Sequence, residues 1–205
     1  KEETALSIAF DKGYFDLCEL LIKNGANINF QNKDGQTMLL QNYRNENIEL
    51  ILKWKADINI TDKNGWSVID YAVMFGAYNT VELLIKYGAN INKKDKLLGN
   101  TPFLKAIKTF GSIYPNNDSI KLLELLLKNG SNINEVNNYG ATALMIAVDH
   151  RKIKIIEFLL NNNISINTQD NKGNRALFYA VISGIYDIIE LLIKHNADLN
   201  IKNNE

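Results

Sequence analysis

Ala89-Asn90-Ile91-Asn92 is one copy of a short phrase that recurs along this chain at a nearly constant interval. It follows an apolar segment, Leu83-Leu84-Ile85, and a glycine, Gly88. The asparagine that closes each copy stands at Asn29, Asn59, Asn92, Asn134, Asn167 and Asn200. These positions are 30, 33, 42, 33 and 33 residues apart. A period of about 33 residues predicts a stacked array in which each repeat buries an apolar face against its neighbours.

The composition of the 205 residues agrees with such an array and argues against several classes of function. Hydrophobic residues are 46% of the chain, enough for every repeat to bury one face. The 23 basic and 23 acidic residues cancel, so there is no general attraction to nucleic acid or to an anionic membrane. The sequence also lacks the run of ~18 apolar residues that a membrane-spanning helix requires.

Cys18 is the single cysteine, so the chain cannot form an internal disulfide. We therefore expect a reducing compartment, the cytoplasm, although a secreted protein without disulfides stays open. The first residue, Lys1, is not an initiator methionine, and we expect a fragment or a processed product of a longer protein.

Residues 62–94 give the clearest repeat unit. Asp62-Lys63-Asn64-Gly65 predicts a turn, and a short helix is expected over Val68–Phe75. A second helix is expected over Tyr78–Tyr87, and Gly88 marks its end. Each unit is thus a turn, a short helix, a break and a longer amphipathic helix.

This unit resembles the ankyrin repeat, whose turn reads D-x-x-G-x-T-P-L and whose second helix ends in L-L followed by G-A. Asp95 to Phe103 is the closest match to the opening motif, with Gly99, Thr101 and Pro102 in place. The resemblance covers nearly the whole chain and implies an all-α ankyrin-repeat solenoid of about six helix-turn-helix repeats with β-turn fingers. As one domain over residues 1–205, its repeats would be 1–32, 33–61, 62–94, 95–136, 137–169 and 170–205, the first and last incomplete or capping.

Several repeats depart from this pattern. Repeat two is three residues short, has Asn42 at the usual small-residue site and has Lys55 in place of the glycine before Ala56. Repeat six has Arg175 where the capping threonine is expected. Repeat four is longer than the period by nine residues, eight of which form an insert near residues 110–118. Repeat two is therefore predicted to be the weak joint of the array.

Nothing in the sequence predicts catalysis, a metal site or a cofactor. The sequence has no phosphate-binding glycine loop, nucleophile elbow or zinc-binding helix motif. His150 and His195 fall at different helix ends, so shared metal ligation is not expected. Cys18 aligns with apolar core positions, which predicts a buried thiol. The acidic residues Asp34, Asp62, Asp95 and Asp170 are interpreted as turn residues, and the repeated asparagine as a residue that stabilises the turn by bonding to nearby backbone.

The resemblance implies that the fingers and first helices line a concave groove, as they do in ankyrin-repeat proteins. Seven residues are the predicted partner-binding set: Trp66, Met74, Phe75, Leu97, Leu98, Tyr139 and His150. Its apolar and aromatic members cluster centrally, and the ends of the array are expected to be polar. Exposed aromatic residues inside a polar surround are typical of interaction hot spots. Packing of Trp66 on its own finger, or of Phe75 and Leu98 between repeats, remains an alternative.

The insert in repeat four is a second candidate surface. Phe110, Ile113 and Tyr114 are poorly suited to free solvation, so they either fold back onto the array or contact a partner.

The sequence therefore predicts a monomeric, non-catalytic module that binds a partner protein through its concave groove, with no cofactor. The alternative is a targeting module of a larger effector or enzyme whose active domain lies outside this chain. A third reading is a structural spacer without a specific partner.

Overall fold

A computed structural model describes residues 2–44, 46–109, 118–200 and 202–204, with only the backbone of Asp118. Twelve helices lie in these ranges, in six successive pairs, and the same ranges contain no strand. Their bounds are α1 (Ala5–Asp11), α2 (Phe15–Lys23), α3 (Met38–Gln41), α4 (Ile48–Lys53), α5 (Val68–Met74), α6 (Tyr78–Lys86), α7 (Pro102–Thr109), α8 (Asp118–Lys128), α9 (Ala143–Asp149), α10 (Ile153–Asn161), α11 (Ala176–Ile182) and α12 (Tyr186–Lys194). The predicted all-α fold of helix-turn-helix repeats is confirmed.

The chain divides into two compact units. Unit one comprises Lys1–Ala72 and Ala77–Asn90, and unit two comprises Val73–Gly76 and Ile91–Glu205. In unit one, α1 packs on α2 and α3 packs on α4. In unit two, α7, α9 and α11 each pack on the helix that follows, and α9 lies between α7 and α11. The first helices of unit two therefore stack in the order of the sequence.

Threonine hydroxyls cap the N-termini of several first helices, as the repeat pattern predicts. The Oγ1 atoms of Thr37 and Thr142 accept hydrogen bonds from the backbone N–H groups three residues later, at 3.3 and 3.2 Å. Arg175 makes no such cap, and its Nε atom donates instead to the carbonyl of Asn167 at 3.0 Å. Arg175 is nevertheless buried, so repeat six exchanges a local cap for a buried guanidinium.

A residue with a left-handed backbone conformation follows most of the second helices. Gly88 follows α6 with φ of 84°, a conformation that glycine adopts without a Cβ clash. Lys55 holds the same place after α4 with φ of 63°. A side chain in this region costs ~1–2 kcal/mol, so the backbone of repeat two keeps the family geometry at a cost.

The core runs through both members of each helix pair. Cys18 is fully buried, and burial raises the pKa of its thiol. Four residues that align with it in later repeats are also buried: Ile48, Val81, Leu123 and Ile156. The prediction of a buried, structural Cys18 is confirmed.

Candidate functional site

Each finger turn is built around one side-chain oxygen. The Oδ1 atom of Asp62 accepts the backbone N–H groups of Asn64 and Trp66, both at 2.9 Å. The same arrangement, in which one oxygen accepts two backbone N–H groups, recurs at the first position of the other turns: Asn32, Asp95, Asn137 and Asp170. Asp34 lies in the turn of repeat two, as predicted, but its carboxylate is not the oxygen that accepts these two bonds. Asn32 performs that role in repeat two, because its oxygen has the correct spacing to the two N–H groups that follow.

Neighbouring fingers are joined by backbone hydrogen bonds. In unit one, Lys63 N–H donates to the Asp34 carbonyl at 3.1 Å. In unit two, Asn138 donates to Leu98 at 2.9 Å, and Asn171 donates to Tyr139 at 3.0 Å. A Cβ atom at Gly140 would lie only 2.8 Å from the Asn171 nitrogen, so the close approach of these fingers requires glycine. Within each unit the fingers form a rigid row.

The repeated asparagine links one repeat to the next. Its Oδ1 atom accepts a backbone N–H from the following repeat at 2.7 to 2.9 Å, in the pairs Asn29–Asp57, Asn59–Asn90, Asn134–Ser165 and Asn167–Asp198. The side chain thus bonds to backbone, as expected, and the structure shows that this backbone belongs to the following repeat. The local bond is made by the residue two positions earlier, as when Asp57 accepts from the N–H of Asn59 at 2.9 Å.

Trp66 lies in an aromatic cluster in unit one. Its ring meets Tyr71 edge-to-face with centroids 5.4 Å apart, and Tyr43 stacks on Tyr71 at 5.6 Å. The Tyr71 hydroxyl donates to Asp62 Oδ2 at 2.7 Å, and it accepts from the amide of Gln36 at 3.2 Å. Burial, then the bond to Asp62, raises the pKa of Tyr71 to about 12. Trp66 is half-buried in this cluster, so part of its surface packs on its own repeat.

Two large side chains are strongly exposed on adjacent fingers of unit two. Leu97 is 63% exposed and Tyr139 is 62% exposed. Leu98 is half-buried, and its carbonyl accepts the bond that joins the two fingers. We call Leu97 and Tyr139 the fingertip pair. Of the other predicted groove residues in this unit, Met74 and Phe75 are half-buried.

His150 is exposed directly after α9, at the place that the sequence predicts. The nearby Lys152 ammonium donates to the Ile107 and Lys108 carbonyls at 2.8 and 2.7 Å, at the end of α7. Burial lowers the pKa of Lys152 to about 8. Burial, then the charge of Lys152, lowers the pKa of His150. The lowered pKa favours the neutral form of the His150 imidazole, which suits hydrogen bonding rather than attraction of anions.

The second candidate surface is the insert in repeat four. Phe110, Ile113 and Tyr114 of the insert lie outside the described residues.

A sequence profile described as Ankyrin repeats (3 copies) matches residues 6–95 and 110–203. This chain belongs to the ankyrin-repeat family. Ankyrin repeats generally mediate protein–protein interactions, and proteins of this family are generally non-catalytic scaffolds.

Three relatives show the range of similar ankyrin-repeat proteins. An ankyrin repeat protein of Acanthamoeba polyphaga mimivirus is 37% identical over 35% of this chain. An ankyrin repeat protein of fowlpox virus is 30% identical over 70% of the chain, and a B-cell lymphoma 3 protein homolog of Mus musculus is 26% identical over 69%. The aligned parts are 19%, 31% and 32% of these relatives, so the chain spans at most a third of their lengths.

The ankyrin turns of this chain also bond to their own first helices, which sequence reasoning missed. Asp170 accepts from the Tyr179 hydroxyl at 2.5 Å, as Asp62 does from Tyr71. Asp95 pairs with the Lys105 ammonium at 3.3 Å, and both residues are buried. In all three cases the donor is the fourth residue of the first helix. The signal was present in the sequence as an aspartate nine or ten residues before a Tyr or Lys.

The C-terminal repeat does not have the predicted polar end. Val181 and Ile182 of α11 are 58% and 77% exposed, and Leu199 is also exposed. The expectation that apolar groove residues cluster only at the centre of the array is therefore wrong.

None of the described helices is long and apolar enough to cross a membrane. Within the same described ranges, no three His, Cys, Asp or Glu side chains come together as potential metal ligands.

Proposed function

We propose that this ankyrin-repeat chain is a non-catalytic recognition module, and that the fingertip pair contributes to the surface that binds a partner protein. One observation carries the proposal: Leu97 and Tyr139, both more than 60% exposed, lie on adjacent fingers. Large apolar or aromatic side chains with a polar surround are typical of protein-binding hot spots.

The fingers are rigid enough to present this pair at a low cost in conformational entropy. Asp95 and Asn137 each accept two backbone N–H groups in their own turn. The bond from Asn138 to Leu98 then joins the two turns. A surface that is ordered before binding loses little conformational entropy when the partner docks.

A charged pair borders the same two fingers. The Lys94 ammonium lies 2.7 Å from Glu135 Oε1 and also donates to the Val136 carbonyl at 2.7 Å. The bond from Lys94 lowers the pKa of Glu135. Such a polar rim favours one orientation of the partner while adding little affinity.

The remaining predicted residues have different roles in this proposal. His150, Leu98, Met74 and Phe75 stay candidates for groove contacts. The packing of Trp66 against Tyr71 supports a mainly structural role for Trp66. The balanced charge favours a protein partner over nucleic acid, and we infer a monomer working in a reducing compartment such as the cytoplasm.

The test compares matched double variants. A binding protein is first identified by capture on the intact chain and then purified. Leu97→Ala with Tyr139→Ala should weaken its Kd at least tenfold while leaving the thermal midpoint unchanged, because both side chains are exposed. The control, Ile153→Ala with Tyr186→Ala, removes two exposed apolar side chains away from the fingers and should leave the Kd unchanged.

Equal affinity of the fingertip variant and the intact chain would refute the role of the pair. Trp66→Ala separates the two interpretations of that residue. A lower thermal midpoint with unchanged Kd fits packing, whereas a weaker Kd at an unchanged midpoint fits recognition.

A second candidate is a targeting module of a larger protein. It is favoured by the fact that the chain spans at most a third of the relatives described above. An additional catalytic domain in the full-length gene product would support it, and its absence would leave recognition as the whole function.

A further inference from the structure

Three exposed lysines border the fingertip pair on the finger turns of unit two. Lys93 and Lys96 lie on or beside the turn that carries Leu97, and Lys172 lies on the turn that follows the one with Tyr139. Within the described part of the chain, none of these three ammonium groups forms an ion pair. We call Lys93, Lys96 and Lys172 the finger lysines. They place positive charge on the turns that surround two exposed apolar side chains.

The acidic residues of the same turns are already engaged elsewhere. Asp95 is buried, and its Oδ2 atom lies 3.3 Å from the Lys105 ammonium. Asp170 is buried and accepts two backbone N–H groups and a tyrosine hydroxyl of α11. Glu135 pairs with Lys94 at 2.7 Å. Because turn formation draws two of the three carboxylates into the protein, the solvent-facing side of these turns is positive.

The excess of positive charge belongs to unit two. Unit one contains 9 basic and 12 acidic residues, whereas unit two contains 14 and 11, so their net charges are −3 and +3. On the fingers of unit one, Lys33 lies 3.6 Å from Glu2, and Asp34 is exposed next to it. The neutral total therefore hides a positive field on unit two, which attracts acidic ligands to this part of the chain.

A ligand of this surface has to match two kinds of group. Leu97 and Tyr139 are 63% and 62% exposed, and covering them with apolar side chains is favourable. The finger lysines are matched by carboxylates, which also guide a partner during encounter. A nucleic acid would satisfy the ammonium groups and stack a base on Tyr139, but its polar backbone offers nothing apolar to Leu97. An acidic polypeptide with apolar side chains supplies both kinds of contact.

We propose that the fingers of unit two bind an acidic segment of the partner protein, whose carboxylates face the finger lysines and whose apolar side chain packs against the fingertip pair. This inference rests on the recognition function proposed above and adds the chemistry of the partner to it. The apolar contact supplies most of the affinity, and the charges set the rate of association and the orientation of the segment.

The experiment begins with an unbiased choice of ligand. A library of random peptides is selected on the immobilised 205-residue chain. The selected peptides should be enriched in Asp and Glu close to Leu, Phe, Tyr or Trp. One of them is synthesised with a fluorophore, and its Kd is measured by fluorescence anisotropy. Raising the salt from ~50 to ~200 mM should weaken binding severalfold, because salt screens exposed charges.

Matched charge reversals then locate the binding surface. Lys96→Glu with Lys172→Glu should weaken the Kd of the peptide at least tenfold, because two attractive contacts become repulsive. Lys128→Glu with Lys194→Glu is the control, since it changes the net charge equally at two exposed lysines on second helices of unit two. The control should stay within about twofold of the intact chain, because its charges are screened from the fingers. Thermal unfolding confirms that both double variants are folded.

Several results would overturn the proposal. These are a selection that yields no binding peptide, selected peptides without an excess of acidic residues, and equal losses in the finger-lysine variant and its control. Single-stranded DNA that binds more tightly than the peptide, and that depends on the finger lysines but not on Leu97 and Tyr139, would assign the surface to nucleic acid. Self-association that Lys96→Glu with Lys172→Glu abolishes would assign it to a second copy of this chain.

The partner captured in the earlier test separates failure of this inference from failure of the recognition function. Binding that depends on Leu97 and Tyr139 but not on Lys96 and Lys172 would keep the fingertip pair and exclude the acidic segment. Binding that depends on neither pair would refute both.

Discussion

Repeats two and three share one sequence pattern, but the helices of repeat two are shorter. The helices of repeat two have four and six residues, whereas those of repeat three have seven and nine. The turn of repeat two is held by Asn32 through two bonds, but Asp62 of repeat three also accepts from the Tyr71 hydroxyl. Lys55 takes the left-handed position that Gly88 fills in repeat three. Repeat two therefore keeps the backbone geometry of repeat three with shorter helices and fewer bonds to its turn residue, and we predict that it is the less stable of the two.

The largest expected effect is the difference in lost stability between alanine variants of the two turn residues, Asp62 and Asn32. Asp62→Ala should cost ~3 kcal/mol, because it leaves two backbone N–H groups and the Tyr71 hydroxyl without their acceptor. Asn32→Ala should cost only about 1 kcal/mol, since Asn32 is half-buried rather than buried and its oxygen accepts the two backbone N–H groups of its turn without a tyrosine hydroxyl. Urea unfolding of both variants measures the difference. Equal losses would show that the bond to Tyr71 contributes nothing.

Local opening provides the next comparison. Residues 33–56 should exchange their amide hydrogens at least tenfold faster than residues 65–92, because the short helices of repeat two make fewer internal hydrogen bonds. Hydrogen–deuterium exchange with peptide resolution measures both segments in one sample. Equal protection would remove repeat two as the weak joint.

Placing glycine at the left-handed position of repeat two should narrow the difference in stability between the two repeats. Lys55→Gly should stabilise the chain by about 1 kcal/mol, because the left-handed backbone no longer carries a Cβ atom. The reciprocal change, Gly88→Lys, should destabilise it by a similar amount. Thermal unfolding of the two variants and the parent tests the pair. A loss of stability in Lys55→Gly would mean that the lysine side chain makes a compensating contact.

The smallest effect concerns alkaline pH. Because the pKa of Tyr71 is raised to about 12, its stabilising contribution is present below about pH 10 and is lost as the pH rises toward 12. Tyr71→Phe should therefore flatten the decline of stability between pH 10 and 12. Tyr43→Phe, which alters the stacked neighbour without removing the hydroxyl bonded to Asp62, should retain the decline. Identical pH profiles for the two variants would contradict this assignment.

The repeat period predicted the fold because each copy carries its own start and stop signals. The capping role of Thr142 and the burial of Cys18 both follow from their place in the period. The domain boundaries proposed for the six repeats stay a prediction. The family match covers residues 6–95 and 110–203.

The side-chain partners of the candidate site were harder to predict. The bond between Asp62 and Tyr71 depends on how the turn folds back over the helix, and alignment of repeats does not encode that distance. Trp66 was predicted as a groove residue, but its exposure is set by Tyr71 five residues later. The exposure of Leu97 and Tyr139 could be predicted because fingertip residues face solvent wherever the turn geometry is kept.

The asparagine bond between repeats also has a consequence for how the chain folds. Asn134 reaches Ser165 and Asn167 reaches Asp198, each across 31 residues of sequence. The equivalent contacts Asn29–Asp57 and Asn59–Asn90 span 28 and 31 residues, so adding repeats does not lengthen any loop that must close. The entropy of loop closure per repeat stays constant, and the relative contact order falls as the array grows. An array of this kind can gain stability with length without folding more slowly.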